Sequence, residues 1–454
     1  MKRISGAWRY LWTAPDIRRK LLITFGILVL YRFVSHVPVP GVDRDLVDQL
    51  AQSGTAGGTL INLVDLISGG TLLQFSVLAM GVYPYITAQI ILQLLLPLIP
   101  SLQKRMEEDP REGRKWMERW TYYLAVPMAA LSSLGQINIF SSLAGGQVIQ
   151  GFGFFGPNAN VLGSLAIVFS MTAGTMFAIW LGELISEYGI RNQGLSLIIF
   201  AGIISRMPSN FAGLLTGNQA NVIISFIAIA FIMVATIFVI VYVQQGRRNV
   251  PVMYPGRRMG NRMSMPVKGT LPLMVNMAGM IPLIFASAIL QLPAIVASFF
   301  ANSQTEWVAN LAVGIQNVFS IQGTWYWLFN FLMVFAFSFF YTDVLFAQQN
   351  YGENLKRVGA QIPGVSRGAP TQKYLTTVLR RITLPGAVFL ATVAILPFLI
   401  TRLLPFLATA GGQAGLFLIS SSGLLIVVGT VRETFFNIDA ELKLHGYEES
   451  LLVR

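Results

Sequence analysis

Twelve residues from Arg247 to Arg258, RRNVPVMYPGRR, carry four arginines and no acid. Arg247, Arg248, Arg257 and Arg258 suit one kind of chemistry, the capture of anions. A guanidinium presents a rigid fork of donors that matches the oxygens of phosphate or carboxylate. A second basic stretch, 346–381, adds Lys356, Arg357, Arg367, Lys373, Arg380 and Arg381 against Glu353. Bond-making chemistry is poorly provided for. The two histidines, His36 and His445, are far apart in sequence, there is no cysteine, and no HExxH or G-x-x-x-x-G-K run occurs. The glycine-rich GGQVIQGFGFFG (145–156) lacks the strand–turn–helix setting of a dinucleotide site and reads as a loop. The chain is therefore expected to have no catalytic residue, metal site or cofactor. Any vectorial work it does must draw energy from a partner or an ion gradient.

The elements that carry these arginines are apolar. Of 454 residues, 54% are hydrophobic and 11% charged, with mean hydropathy +0.61. A soluble chain carries about 25% charged residues. Runs long enough to cross a bilayer core, about 20 residues each, lie near 21–37, 74–100, 120–140, 161–182, 194–212, 220–243, 271–299, 323–345, 382–401 and 413–431. The fifth is interrupted by GIISRMPS. The basic N-terminus leads into an apolar stretch that ends at HVPVP without a small-residue cleavage site, which reads as a retained first span. Segments 1–20, 102–119, 244–270 and 346–381 hold six Lys or Arg each, and 28 of the 32 fall on one side of a ten-span arrangement. Lys and Arg mark the cytoplasmic side, so both termini and all the large basic segments are expected there.

The expected fold class is all-α: a polytopic integral membrane protein with ten transmembrane helices. Five spans precede a short linker near 213–219 and five follow it. An odd number per half inverts the second half relative to the first, giving two inverted five-helix halves, 1–212 and 213–454, around a central pathway. This symmetry comes from counting; no strong internal sequence repeat accompanies it. Ionisable residues at mid-span would mark a gradient-coupled carrier. Here Arg32 falls near the outer end of the first span, and Glu183, Glu187 and Asp343 fall near cytoplasmic ends. A ten-span secondary transporter for a small solute is thereby disfavoured but remains the alternative, as does a scaffold that anchors ribosomes through its basic segments.

Five ordered runs identify a resemblance: VPVPGVD (37–43), GVYPYITAQIILQLL (81–95), MPVKGTLPLMVNMAGMIPLIFAS (265–287), NLKRVGAQIPG (354–364) and LLIVVGT (424–430). Together with RRNVPVMYPGRR they closely resemble the SecY family, the central subunits of protein-conducting channels, over nearly the whole chain. The resemblance implies a passive channel of bacterial inner-membrane type, in which unfolded polypeptide crosses and hydrophobic segments leave sideways into lipid. It implies no enzymatic activity, with energy supplied by a partner ATPase, the ribosome or the proton motive force. Implied partners are SecE and SecG subunits, the SecA motor, the ribosome, signal peptides and nascent chains, besides membrane lipids.

The resemblance also assigns residues. Val82, Ile86, Leu195, Ile199, Ile284 and Ile426 become an apolar pore ring, which holds back ions by dewetting and yields around a polypeptide. Val82 and Ile86 share a helix face, as do Leu195 and Ile199; without the resemblance, such spacing is ordinary packing. TLINLVDLISGGTLLQ (59–74) is too short and polar to span. Within it Leu60, Ile61, Asn62, Leu63, Val64, Asp65, Leu66, Ile67 and Ser68 become a plug helix, with Gly69 and Gly70 as its hinge. Thr87, Gln93 and Asn276 become polar residues of a lateral gate between the second and seventh spans. Arg247, Arg248, Arg257, Arg258, Lys356, Arg357 and Arg367 become a dock for ribosome or motor; positive-inside topology alone is the competing account of these charges. Two stretches depart from the usual family pattern. GIRNQGLS (189–196) is one residue longer than GIGNGIS, and PGVSRGAP (363–370) places Ser366 at the arginine position of PGIRPG with Arg367 one residue later.

Overall fold

A computed structural model describes residues 15–42, 75–96, 99, 102, 109–144, 149, 152–153, 160–191, 193–215, 222–255, 258–259, 262–263, 267–300, 305–319, 324–349, 351–403 and 421–444. A helix overlaps each of the ten apolar runs: α1 (Pro15–Val34), α2 (Tyr83–Leu95), α3 (Pro110–Ala144), α4 (Val161–Tyr188), α5 (Gly194–Leu215), α6 (Val222–Gln245), α7 (Ile281–Phe300), α9 (Thr324–Gln349), α11 (Ala369–Leu403) and α12 (Ser421–Leu444). Two shorter helices lie between them, α8 (Glu306–Val318) and α10 (Tyr351–Arg357). Among the described residues, four helical segments are long and apolar enough to cross a membrane unaided: Val161–Tyr188, Phe226–Gln245, Trp325–Arg357 and Ala369–Ile400.

Helix ends follow local chemistry more closely than hydropathy. α3 begins ten residues before its apolar run. Asp109 precedes Pro110 and accepts hydrogen bonds from the amides of Arg111 (3.0 Å) and Glu112 (3.2 Å), satisfying donors that a helix start leaves open. The proline at the first helical position has no amide to satisfy. α4 is capped by Asn160, whose Oδ1 accepts from the Gly163 amide at 3.1 Å. α7 begins ten residues later than its apolar run, because 267–274 forms a strand and Gly279, at φ +64°, turns the chain before the helix.

The strands are the departure from an all-helical reading. β1 (Arg247–Tyr254) pairs antiparallel with β4 (Val267–Met274), and the short β2 (Arg258–Met259) and β3 (Arg262–Met263) pair between them. Val250 and Val252 point inward and are buried, while Arg247, Asn249, Pro251 and Met253 alternate with them and stay exposed. This period of two was present in the sequence beneath the more conspicuous arginines and prolines.

Contacts divide the chain into two compact units. One gathers the described residues of Met1–Ala230, Leu290–Tyr326 and Leu404–Arg454; the other gathers Phe231–Ile289 and Trp327–Leu403. In the first, α2 packs on α3, α3 on α4, and α4 on α5, while α5 also touches α1 and α12. A buried cluster of Val39, Phe75, Ala79, Met80, Ile137, Phe140, Ile149, Ile167 and Met171 joins α3 and α4 to the 37–42 and 75–80 segments. In the second, α10 packs on α11, and Phe285 of α7 sets its ring edge-on to Phe337 and Tyr341 of α9.

Candidate functional site

The basic segments provide the best-defined surface. Both lie in the second unit and fold as one body. Met253 of β1 and Gln361 exchange two backbone hydrogen bonds of 2.8 Å, so the second segment adds a rung to the hairpin. Beneath it lies a dry core of Val250, Val252, Leu273, Phe346, Leu355, Ala360, Ile362, Leu375, Val378, Leu379 and Ile382. Three tight approaches hold the parts together. The Gly352 amide donates to Gln372 Oε1 at 2.8 Å. A Cβ on Gly269 would lie 2.7 Å from the Tyr254 ring. Thr371 Oγ1 donates to the Ser366 carbonyl at 2.7 Å, closing the turn that carries Arg367.

On this body Arg247, Arg248, Lys356, Arg357 and Arg367 are exposed. So are Lys268, Lys373 and Arg381, which lie outside the family-assigned set. Arg247 and Arg248 are adjacent and so leave opposite faces of β1. Arg258 lies on β2, and Arg257 is outside the described residues. Arg380 is partly committed, with Nη2 donating to Asp343 Oδ2 at 2.9 Å and Nε to both carboxylate oxygens. Positive charge on a rigid, wet surface can hold a polyanion without burying any charge.

Five of the six proposed ring residues lie in the first unit. Val82 precedes the first turn of α2, fixed there by Gly81 at φ +52° and by Pro84 in that turn. Ile86 follows one turn later, partly buried. Leu195 and Ile199 lie on α5, and Ile426 lies on α12, which packs on α5. Val82 (3% exposed), Ile199 (6%) and Ile426 (4%) are buried. The side chain of Leu195 rests on α4, its Cδ2 2.8 Å from where a Cβ on Gly182 would stand. Ile284, 8% exposed, is on α7 in the second unit.

The longer turn 189–194 is tied to α12. Asn437 Nδ2 donates to the Arg191 carbonyl at 3.2 Å, and Gln193 Nε2 donates to Glu433 Oε2 at 3.3 Å. Lys20 of α1 pairs with Glu441, holding the same end of α12. These ties were not foreseen from sequence, since each joins residues hundreds of positions apart.

The proposed gate residues are mostly satisfied locally. Thr87 Oγ1 donates to the Pro84 carbonyl of its own helix at 2.9 Å, and Asn276 Nδ2 donates to the Gly279 carbonyl at 3.0 Å in the turn before α7. Gln93 lies on α2, and its Oε1 is buried without a hydrogen-bond partner among the described residues. The proposed plug, Leu60–Gly70, lies outside the described residues, but the chain that follows it is firmly rooted. Phe75 is buried against Phe140 with ring centroids 5.1 Å apart. Its carbonyl accepts from the Val39 amide at 2.9 Å, and Val77 donates to the Val37 carbonyl at 3.0 Å. Phe75 holds φ +42°, a conformation costing a non-glycine residue about 1–3 kcal/mol, which the surrounding contacts sustain.

The profile of the SecY family matches residues 76–435. A protein translocase subunit SecY of Streptomyces galbus is 36% identical, the alignment covering 96% of this chain and 97% of the relative. Corynebacterium glutamicum and Mycobacterium tuberculosis each have a protein translocase subunit SecY at 34% identity, covering 95% of this chain and 97% and 96% of those relatives. Among solved structures, one of a protein conducting channel matches with TM-score 0.56 at 18% identity, covering 95% of each chain. A second, from work on the plug domain of SecY, matches with TM-score 0.57 at 20% identity over 94% of this chain and 93% of that one. At these identities the structures speak to fold.

Proposed function

This chain belongs to the SecY family, and from that premise we propose that it is a protein-conducting channel, passing unfolded polypeptide across a membrane and releasing hydrophobic segments sideways. The whole-length likeness to translocase subunits carries this reading. In it, Val82, Ile86, Leu195, Ile199, Ile284 and Ile426 close the pathway between two inverted halves, 1–212 and 213–454. The burial of Val82, Ile199 and Ile426 within the first unit supports a closed state, since side chains lining an open lumen would be wet. Leu60–Ser68 acts as the plug, with Gly69 and Gly70 as its hinge. Thr87, Gln93 and Asn276 line the seam. The local hydrogen bonding of Thr87 and Asn276 supports a seam that parts without breaking strong interhelical bonds.

The surface carrying Arg247, Arg248, Lys356, Arg357 and Arg367 docks the ribosome or the SecA motor, and the energy comes from them or from the proton motive force. SecE and SecG complete the complex. The chain resides in a bacterial inner membrane with both termini cytoplasmic, an orientation that its Lys and Arg distribution supports. The test is site-specific crosslinking from Ile86 and Ile284 to a preprotein stalled during translocation. Adducts are expected at both positions; their absence at both would overturn the channel, and saturable uptake of a small solute would replace it.

A further inference from the structure

Helix α8 (Glu306–Val318) belongs neither to the proposed ring nor to the dock. At 100° per residue its surface divides into three arcs. Ala312 is buried and Val308, Ala309, Ile315 and Gln316 are half-buried, forming the side that faces protein. Glu306, Asn310 and Asn317 are exposed on a second, mainly polar arc, with Val313 (45% exposed) at its edge beside the protein-facing side. Trp307 (68% exposed), Leu311 (54%) and Val318 are exposed on a third arc about 60° wide. Gly314 falls in that third arc, and a Cβ placed on it would meet nothing within 4 Å.

A helix buried only in protein and water needs two faces. A separate exposed apolar arc beside an exposed polar one is the pattern of a helix at a membrane surface. Tether length agrees: residues 301–305 and 319–323 join α8 to α7 and α9, and each connection reaches at most about 20 Å. Both neighbours are read as spans, so α8 stays close to the bilayer. Trp325, at the start of α9 and 62% exposed, adds a second tryptophan of the kind that gathers at headgroup level. The stretch 301–323 contains no Lys or Arg, which fits the external side.

We propose that α8 is an interfacial anchor lying flat in the outer leaflet, with Trp307, Leu311 and Val318 inserted among the upper acyl chains and Asn310 and Asn317 in water. The outer-leaflet assignment rests on the orientation given above; the lipid contact does not. The native chain has no cysteine, so single cysteines can be spin-labelled without background. Cysteines at 306, 307, 310, 311, 317 and 318, in the full chain reconstituted into phosphatidylcholine–phosphatidylglycerol vesicles, are scanned for collision with oxygen and with a water-soluble nickel chelate.

Labels at 307, 311 and 318 should favour oxygen, and those at 306, 310 and 317 nickel, alternating with helical period. Nickel access at all six positions would overturn the proposal by placing α8 in water. Exclusion of both reagents at 307, 311 and 318 would overturn it by showing a protein cover. Labelling of Asn317→Cys by a membrane-impermeant maleimide added outside intact cells reads sidedness separately: protection there, with the collision pattern intact, moves the anchor to the inner leaflet and overturns the orientation alone. Preprotein translocation by each variant verifies a folded chain.

Discussion

The double variant Arg247→Ala/Arg248→Ala tests the docking surface through its dependence on salt. Both side chains are exposed, while the residues that hold the hairpin, Val250, Val252 and Leu273, are buried and untouched. The strand should therefore survive. Insertion and orientation should survive too, because Arg257, Arg258, Arg262 and Lys268 keep the segment basic. The two arginines leave opposite faces of β1, so in the proposed dock each would meet its own phosphate and the double variant would remove two contacts. Each neutralised phosphate contributes about 0.7–0.9 to the slope of log affinity against log salt. Removing two lowers that slope by about 1.4–1.8. Between 50 and 200 mM salt, the affinity ratio of wild type to variant then narrows by about 7- to 12-fold. Ribosome co-sedimentation with proteoliposomes across that range measures it. Each single variant should show about half the slope change. Parallel lines for wild type and double variant, with affinity lowered or not, would refute phosphate contact by these arginines. An inverted chain with unchanged ribosome binding would assign them to topology instead.

Three further outcomes are expected. Ile426→Asn places an amide at a site 4% exposed; a buried amide left unsatisfied costs about 1–3 kcal/mol, enough to shift a closed-to-open balance about 5- to 150-fold, and ion leak together with export of substrates bearing defective signals should rise, whereas unaltered conductance and stringency would remove Ile426 from the ring. Gly386→Ala puts a Cβ 2.5 Å from the Val275 carbonyl oxygen, so α11 and the base of the hairpin must separate at a cost of about 1–3 kcal/mol; earlier thermal unfolding in detergent is the readout, and an unchanged transition would mean that the backbone relaxes freely there. Asp343→Asn breaks the pair with Arg380, but Arg380 is well exposed and Asp343 partly so, so the stability loss measured by denaturant titration should not exceed about 1 kcal/mol and should fade in high salt.

What could be read from the chain divides by the range of the forces involved. Apolar runs located the helices because the cost of exposing backbone to lipid is paid locally, span by span. Their ends were set by Asp109, Pro110, Asn160 and Gly279, single residues that a hydropathy average passes over. The hairpin was missed because four arginines and two prolines hid the alternation of Val250 and Val252, and because its buried face packs on Leu355, Ile362 and Leu375, a hundred residues away. The basic surface proposed as a dock was legible as charge, not as a surface: nothing local says that Gln361 will pair with Met253. The ties from Gln193 to Glu433 and from Lys20 to Glu441 are of the same kind. The ring assignment came from resemblance, since apolar residues four apart look alike whether they face a pore, a neighbour or lipid.

The rigidity of the basic body bears on how a docked partner could act. A solvated loop with the same charges would bind an anion and absorb its motion. Here the arginine-bearing strand follows α6 after one residue, Gly246, and its partner strand ends at Met274, where the Val275 amide donates to the Gly246 carbonyl at 2.9 Å. The underlying core is built partly from Leu375, Val378, Leu379 and Ile382, which belong to α11, a 35-residue helix running on from the body into an apolar span. Close-packed interiors transmit displacement rather than dissipate it. Force applied at Arg247 or Arg367 by a partner docked as proposed would therefore reach α6, the start of α7 and α11 through hydrogen bonds and buried side chains.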